Sequence, residues 1–328
     1  MGKRISLYFI LFTIIFLSCN DENRVIPTPN TQVEERIPTP IFNADSAYDF
    51  IQTQVDFGPR VPNTKEHTAC AEWLVKKLDS YGAKTMVQEG EVTAFNGDKL
   101  QIKNIIAQFN PEKTSRLLLF AHWDTRPVAD KDKSRQGEPI DGANDGGSGV
   151  GVLLEIARQF NLQETKLGVD IIFFDAEDYG IFEGSMNRGA EDDWCLGSQY
   201  WGNNPPIANY RPRFGILLDM VGETNAQYPK EYFSTYHAGN IVNKVWNTAR
   251  NIGYSNYFIN TKIGQITDDH RYVNILANIP SIDIIGWNTT TNTFGDYHHT
   301  HKDNMEGIDK NSLKAVGQTV MEVVYQEK

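Results

Sequence analysis

The chain has 328 residues, 40% of them apolar and 22% charged, so it can bury a core of ordinary size without disulfide staples. Its formal charge of -11 and the lack of any long basic run exclude nucleic acid as a partner, because phosphate binding depends on clustered Lys and Arg.

Lys3 and Arg4 precede an apolar run from Ile5 to Leu17 that ends at Ser18-Cys19. A membrane-spanning helix needs about 20 apolar residues, so residues 1–18 read as an export signal peptide. Phe16-Leu17-Ser18-Cys19 resembles a bacterial lipobox, which would make Cys19 the lipid-bearing first residue of an exported, membrane-anchored lipoprotein facing the periplasm or the cell surface. A plain signal peptide cut nearby is the other reading. Residues 19–43 carry Pro27, Pro29, Pro38 and Pro40 among polar residues without apolar periodicity, and read as a flexible tether. Residues 44–328 read as one globular domain. Cys70 and Cys195 remain; they either pair in an oxidising compartment or stay free, with Cys70 a small buried hydrophobe.

Helical periodicity marks 44–56, then 65–81 with Ala69, Trp73, Leu74, Leu78 and Tyr81 on one face, then 149–160. It returns at 241–252, 270–277 and 310–326. Between these lie apolar runs of strand length: Ile102–Phe109, Leu117–Ala121, Val169–Phe174, Phe214–Met220 and Ile282–Ile285. Fully apolar strands alternating with helices predict an α/β fold, one three-layer domain whose mixed, mostly parallel twisted sheet is flanked by helices.

Chemistry collects where the strands end. Leu117–Ala121 runs into His122-Trp123-Asp124, Val169–Phe174 into Asp175-Ala176-Glu177-Asp178, and Phe214–Leu218 into Asp219. Ligands of open α/β sheets bind outside the carboxyl ends of the strands. A glycine-rich turn, Gly142 to Gly149, presents Asp145 just before a helix, and His298-His299-Thr300-His301 lies near the C-terminus. The turn matches neither GxxxxGK[ST] nor GxGxxG, so it is not a phosphate loop. A lone carboxylate after a strand is usually a cap or turn residue; the recurrence of Asp and His at five such places points instead to zinc. Glu177 and Asp178 are adjacent, and on an extended segment their side chains point oppositely. One can bind metal while the other faces substrate as acid/base, with a carboxyl raised by its neighbour's charge.

The order His122-x-Asp124, Asp145, Glu177-Asp178, Asp219, His299 resembles the zinc-dependent aminopeptidase superfamily and its offshoot, the glutaminyl-peptide cyclotransferases (glutaminyl cyclases), over roughly residues 45–328. Ala121-His122-Trp123-Asp124-Thr125-Arg126-Pro127 and Gly142-Ala143-Asn144-Asp145-Gly146 resemble the cyclases of Bacteroidetes-type bacteria. Thr267-Asp268-Asp269-His270, and His299-Thr300 followed by Asp303-Asn304, resemble the animal cyclases. The resemblance implies Asp145, Asp178 and His299 as ligands of one zinc ion, Glu177 as general acid/base, and Asp219 and Asp268 as carboxylates handling the leaving amide. It places Trp194, Phe294 and His298 around the substrate pocket and implies a cis peptide bond after Asp145. It departs from the animal enzymes and aminopeptidases at Asp178, where they usually carry glutamate, and from the animal enzymes at His298, which replaces a tryptophan of their pocket. The implied activity turns an N-terminal glutamine of peptides or proteins into pyroglutamate with release of ammonia. The alternative is a dizinc aminopeptidase, with His122 and Asp219 holding a second ion and Asp145 bridging.

Overall fold

The structure, a computed structural model, describes Gly2 and residues 38–185 and 191–328. The remainder of the signal peptide, Cys19 and most of the expected tether lie outside the described residues.

The apolar runs form the interior of a six-stranded sheet. Strands β1 (Lys84–Thr93) and β2 (Lys99–Phe109) pair antiparallel at one edge, and β2 continues antiparallel onto β4 (Gly168–Phe174). From there the sheet is parallel: β4 pairs with β3 (Arg116–His122), β3 with β5 (Gly215–Asp219) and β5 with β8 (Ser281–Ile285). The order is β1-β2-β4-β3-β5-β8, and β6 (Tyr228–Lys230) and β7 (Phe258–Lys262) form a separate small pair. Strands β3 and β4 are buried along their whole length, as parallel strands covered on both faces must be.

Period-two alternation divides these strands between two helical layers. Leu117, Leu119 and Ala121, with Val169, Ile171 and Phe173, enter the larger core. That core is shared with α1 (Ala44–Asp56), α2 (Lys65–Ser80), α3 (Gly147–Leu162), α5 (Tyr232–Asn251) and α7 (Lys310–Gln326). Leu118, Phe120, Ile172 and Phe174 turn the other way, onto Trp201 of α4 (Leu196–Asn203) and Val273 of α6 (Asp269–Ile275). The three-layer α/β expectation holds.

Several local expectations are corrected. Phe42, inside the segment read as tether, is buried in the larger core. Its ring occupies the space above Gly317, where a Cβ would stand 2.2 Å from it, and its N–H donates to Gln318 at 2.9 Å. One aromatic among prolines carries no periodicity to reveal this. On α2 the buried face runs through His67, Cys70, Ala71, Leu74 and Leu78, leaving Ala69 exposed and Trp73 half-buried. The face turns because His67 pairs with Asp175 at 2.9 Å and stacks on Trp123. Helix α5 begins at Tyr232 rather than 241; non-helical φ/ψ at Ala238 resets the phase of its apolar stripe. Strand β1 and helix α4 were not foreseen, since β1 is a polar edge strand and α4 spans only two turns. Cys70 and Cys195 are both free and buried. No cis peptide bond occurs among the described residues. The bond after Asp145 is therefore trans, and the turn there is made by Gly142 and Gly146 at φ +58° and +78°.

Candidate active site

The carboxyl ends of β3, β4 and β5 deliver His122, the segment Asp175–Asp178, and Asp219 to one edge of the sheet. The segment after β4 is not extended: Ala176 has φ +51°, a left-handed conformation uncommon for a residue with a Cβ. Buried acceptors hold it there. Asp175 takes the Ala176 N–H at 2.8 Å, and the two oxygens of Asp124 take the N–H groups of Glu177 and Asp178 at 3.0 and 3.2 Å. The two side chains still diverge as expected, but from a turn. Glu177 reaches toward Cys195, whose Sγ donates to Oε1 at 3.1 Å, whereas Asp178 reaches toward His299.

Asp145 is fixed from behind. The carboxylate of Asp303 accepts the N–H groups of Asn144 at 2.6 Å and Asp145 at 3.1 Å. Gly146 has to lack a side chain, since a Cβ there would stand 2.8 Å from the His122 ring. Asp145 then lies between two groups of ligand-type atoms. On one side His122 Nε2 is 3.1 Å from Asp145 Oδ1 and 3.2 Å from Asp219 Oδ1. On the other, His299 Nε2 is 3.9 Å from Asp145 Oδ2 and 3.3 Å from Asp178 Oδ1.

The second group fits a cation. Oδ2 of Asp145 and Oδ2 of Asp178 are buried without a hydrogen bond, a cost that a metal ion removes. Asp oxygens with a His nitrogen form a donor set suited to zinc. Arg126 secures the short Asp178 side chain, donating to its carbonyl at 3.0 Å and its carboxylate at 3.3 Å. The same guanidinium forks onto Asp130 at 2.8 and 2.7 Å, and Asp130 Oδ1 lies 3.4 Å from His299 Nδ1. Partners of this kind orient metal-ligating imidazoles. His298 also comes close to Asp145 and His299, but Lys131 Nζ sits 2.6 Å from its Nδ1. Burial and the charges of His299 and Lys131 push its pKa well below the usual histidine range, and its side chain lines the cavity.

The electrostatics separate the carboxyls. Burial pushes Glu177 well above the usual carboxylate range; the charge of His122 opposes this, and those of Asp268 and Asp178 add to it. Asp268 rises for the same first reason, with Asp219 and Asp269 contributing. Burial also works against ionisation of Asp145, but contact with His122 outweighs it and holds this carboxyl below its ordinary range. Asp130 is likewise held low, burial being overcome by its hydrogen bonds with Arg126 and His299.

These groups line one cavity of about 680 Å³. Its polar floor is Asp145, Glu177, Asp178, Asp219, Asp268 and His299; its walls include Trp194, Phe294 and His298, with Met220, Ile266, Ile285 and Trp287. Every site residue expected from the sequence therefore reaches this cavity except His122, which lies beneath Asp145 and Asp219. Sequence reasoning missed the parts played by Arg126, Asp130, Cys195 and Asp303. An Arg-x-x-x-Asp pair in a loop, a lone cysteine, or an aspartate accepting backbone N–H groups carries no periodic signal.

A mostly parallel α/β sheet with Asp and His ligand sets on its carboxyl edge defines a zinc-dependent exopeptidase-type protein. The model of peptidase family M28 matches residues 104–324, and the chain belongs to that family. Among solved structures, the glutaminyl cyclase of Bacteroides thetaiotaomicron bound to N-acetylhistamine is 53% identical with a TM-score of 0.87, covering 89% of this chain and 100% of that one. A Zn-dependent exopeptidase from Parabacteroides distasonis is 54% identical with a TM-score of 0.86, covering 88% and 100%. An aminopeptidase of Bacillus subtilis is 26% identical over 260 residues, 77% of this chain; the match spans 50% of that protein's length.

Proposed function

We propose that the chain is a glutaminyl-peptide cyclotransferase holding one zinc ion on Asp145, Asp178 and His299. The observation that carries this reading is the pairing of that ligand set with Glu177 and Asp268 on the floor of an apolar-walled cavity. Identity of 53% to a bacterial glutaminyl cyclase over its entire length supports it.

Zinc bound there would act as a Lewis acid toward the side-chain carbonyl of an N-terminal glutamine. Glu177 takes a proton from the substrate's α-amine as its nitrogen bonds to the carbonyl carbon of the side-chain amide (Cδ), closing a five-membered lactam. Glu177 then returns the proton as the bond from that carbon to the side-chain nitrogen breaks, so ammonia leaves and no water is consumed. Burial raises the proton affinity of this carboxyl, which suits it to hold the proton between the two transfers. Asp268 and Asp219 accept hydrogen bonds from the departing nitrogen. Trp194, Phe294, Ile266 and Trp287 exclude water, which favours ring closure over hydrolysis.

The aminopeptidase reading is favoured by one observation, the retained trio of His122, Asp145 and Asp219 with ligand atoms within 4.8 Å of one another. Incubating the zinc-loaded enzyme with a Gln-Ala-type peptide decides between the two. Ammonia and a pyroglutamyl peptide are expected; release of free glutamine, with two zinc ions per chain, would establish the aminopeptidase. The same proposal makes the protein an exported lipoprotein acting on peptide N-termini, anchored through Cys19; it is supported by Lys3-Arg4, the apolar run and the Leu17-Ser18-Cys19 ending. Labelling with a fatty-acid analogue should mark the wild type and not Cys19→Ala, and equal labelling would defeat the anchor.

A further inference from the structure

Cys195 is the residue before α4 and has φ +57°. Its N–H donates to the carbonyl of Glu177 at 3.0 Å, and the next N–H, of Leu196, donates to Ala176 at 3.0 Å. Its side chain turns back onto the same residue, with Sγ 3.1 Å from Glu177 Oε1. Main chain and side chain of Cys195 thus both grip Glu177, and a left-handed backbone is what allows it. Conformations of this kind persist where the surroundings over-determine them.

Three uses of a thiol in this place can be compared. Nucleophilic attack needs a thiolate, yet burial and the charges of Glu177, Asp269 and Asp268 all favour the protonated form. Metal ligation needs the same thiolate and would place a second cation on Glu177 and Asp268, away from the Asp145–His299 set. Hydrogen-bond donation needs only the S–H, and Glu177 Oε1 is the acceptor it reaches.

We propose that Cys195 is a positioning residue whose S–H holds Oε1 of Glu177 and leaves Oε2 to face the cavity. The proposal rests on the reading of Glu177 as the proton carrier. A buried carboxylate on a two-carbon stem has several rotamers, and only one that presents an oxygen to the substrate's amine transfers the proton. A contact that acts on orientation affects the proton-transfer step and leaves substrate affinity unchanged.

The test compares Cys195→Ala and Cys195→Ser as zinc-loaded enzymes on a Gln-Ala-type peptide. Loss of the donor in Cys195→Ala should lower kcat about tenfold with little change in KM, at wild-type zinc content and Tm, as removal of a transition-state contact does. Cys195→Ser keeps an O–H donor and should recover kcat to within about threefold of wild type. Wild-type kcat in Cys195→Ala, or equal losses in both variants, would overturn the proposal. Infrared spectroscopy of the wild type supplies a second readout should the alanine variant fail to fold. The S–H band lost in Cys195→Ser should lie at lower frequency than the band lost in Cys70→Ala, and should move up in Glu177→Ala. A Cys195 band that ignores Glu177 overturns the proposal without any substrate. A wild-type enzyme that releases no ammonia defeats the cyclase reading alone, and the infrared band still judges the contact.

Discussion

Glu177 and Asp178 are neighbours in the chain, but their side chains diverge to different partners in the site. The left-handed turn at Ala176 sends one toward Cys195 and the other toward Arg126 and His299. Their separate uses predict separate losses. Glu177→Gln should lower turnover about 10²–10⁴-fold, the range for a general acid/base, while zinc per chain measured by atomic absorption stays as in the wild type. Asp178→Ala should lose the metal, and full zinc occupancy in that variant would remove it from the ligand set. At this scale the chemistry-bearing residues were legible, because Asp and His at strand ends stand out from apolar runs. Their supports were not. Arg126 compensates for the short side chain at 178 by donating to both its carbonyl and its carboxylate, and that geometry exists only after residues about 50 apart have folded together.

Strands buried on both faces were legible in the sequence, and the polar edge strand β1 was not. Strands β3 and β4 announce themselves as unbroken apolar runs because both faces are buried. Edge strand β1 mixes Lys, Gln and Glu with Met86 and Val87, both partly exposed, and gives no such run. Helix α5 shows how a mid-helix irregularity divides one periodic pattern into a legible half and an illegible one. At the amino-terminal margin, Phe42 lies in the core against α7 and should behave as part of the domain. Phe42→Ala should cost about 3–5 kcal/mol, as removal of a fully buried aromatic ring does, read from urea unfolding. A cost near zero would return Phe42 to the tether.

For the molecule as a whole, the interior carries many carboxyls, and one outside the metal cluster offers a clean titration. Glu223, near the Tyr297 hydroxyl, is pushed up by burial from 4.5 to about 7, an effect that Tyr297 opposes. A raised folded-state pKa means that the fold retains the proton longer than the unfolded chain does. This contribution to stability is therefore full below about pH 4.5 and is lost as pH rises to about 7. Replacement by Gln removes that titration. The Tm of the wild type, compared with that of Glu223→Gln, should fall progressively across that window, and parallel Tm curves would contradict the assignment.

The clamp of Asp303 on the backbone of Asn144 and Asp145 has a consequence for biogenesis. The proposed ligands span residues 145–299, and the loop carrying the first of them is pinned by a residue beyond the last. Because synthesis proceeds from the amino terminus, nine-tenths of the polypeptide has to emerge before Asp145 is locked in place. Zinc capture at the proposed ligands is then a late step, and Asp303→Ala, which removes the clamp, should lower zinc content per chain; wild-type zinc content in that variant would contradict this.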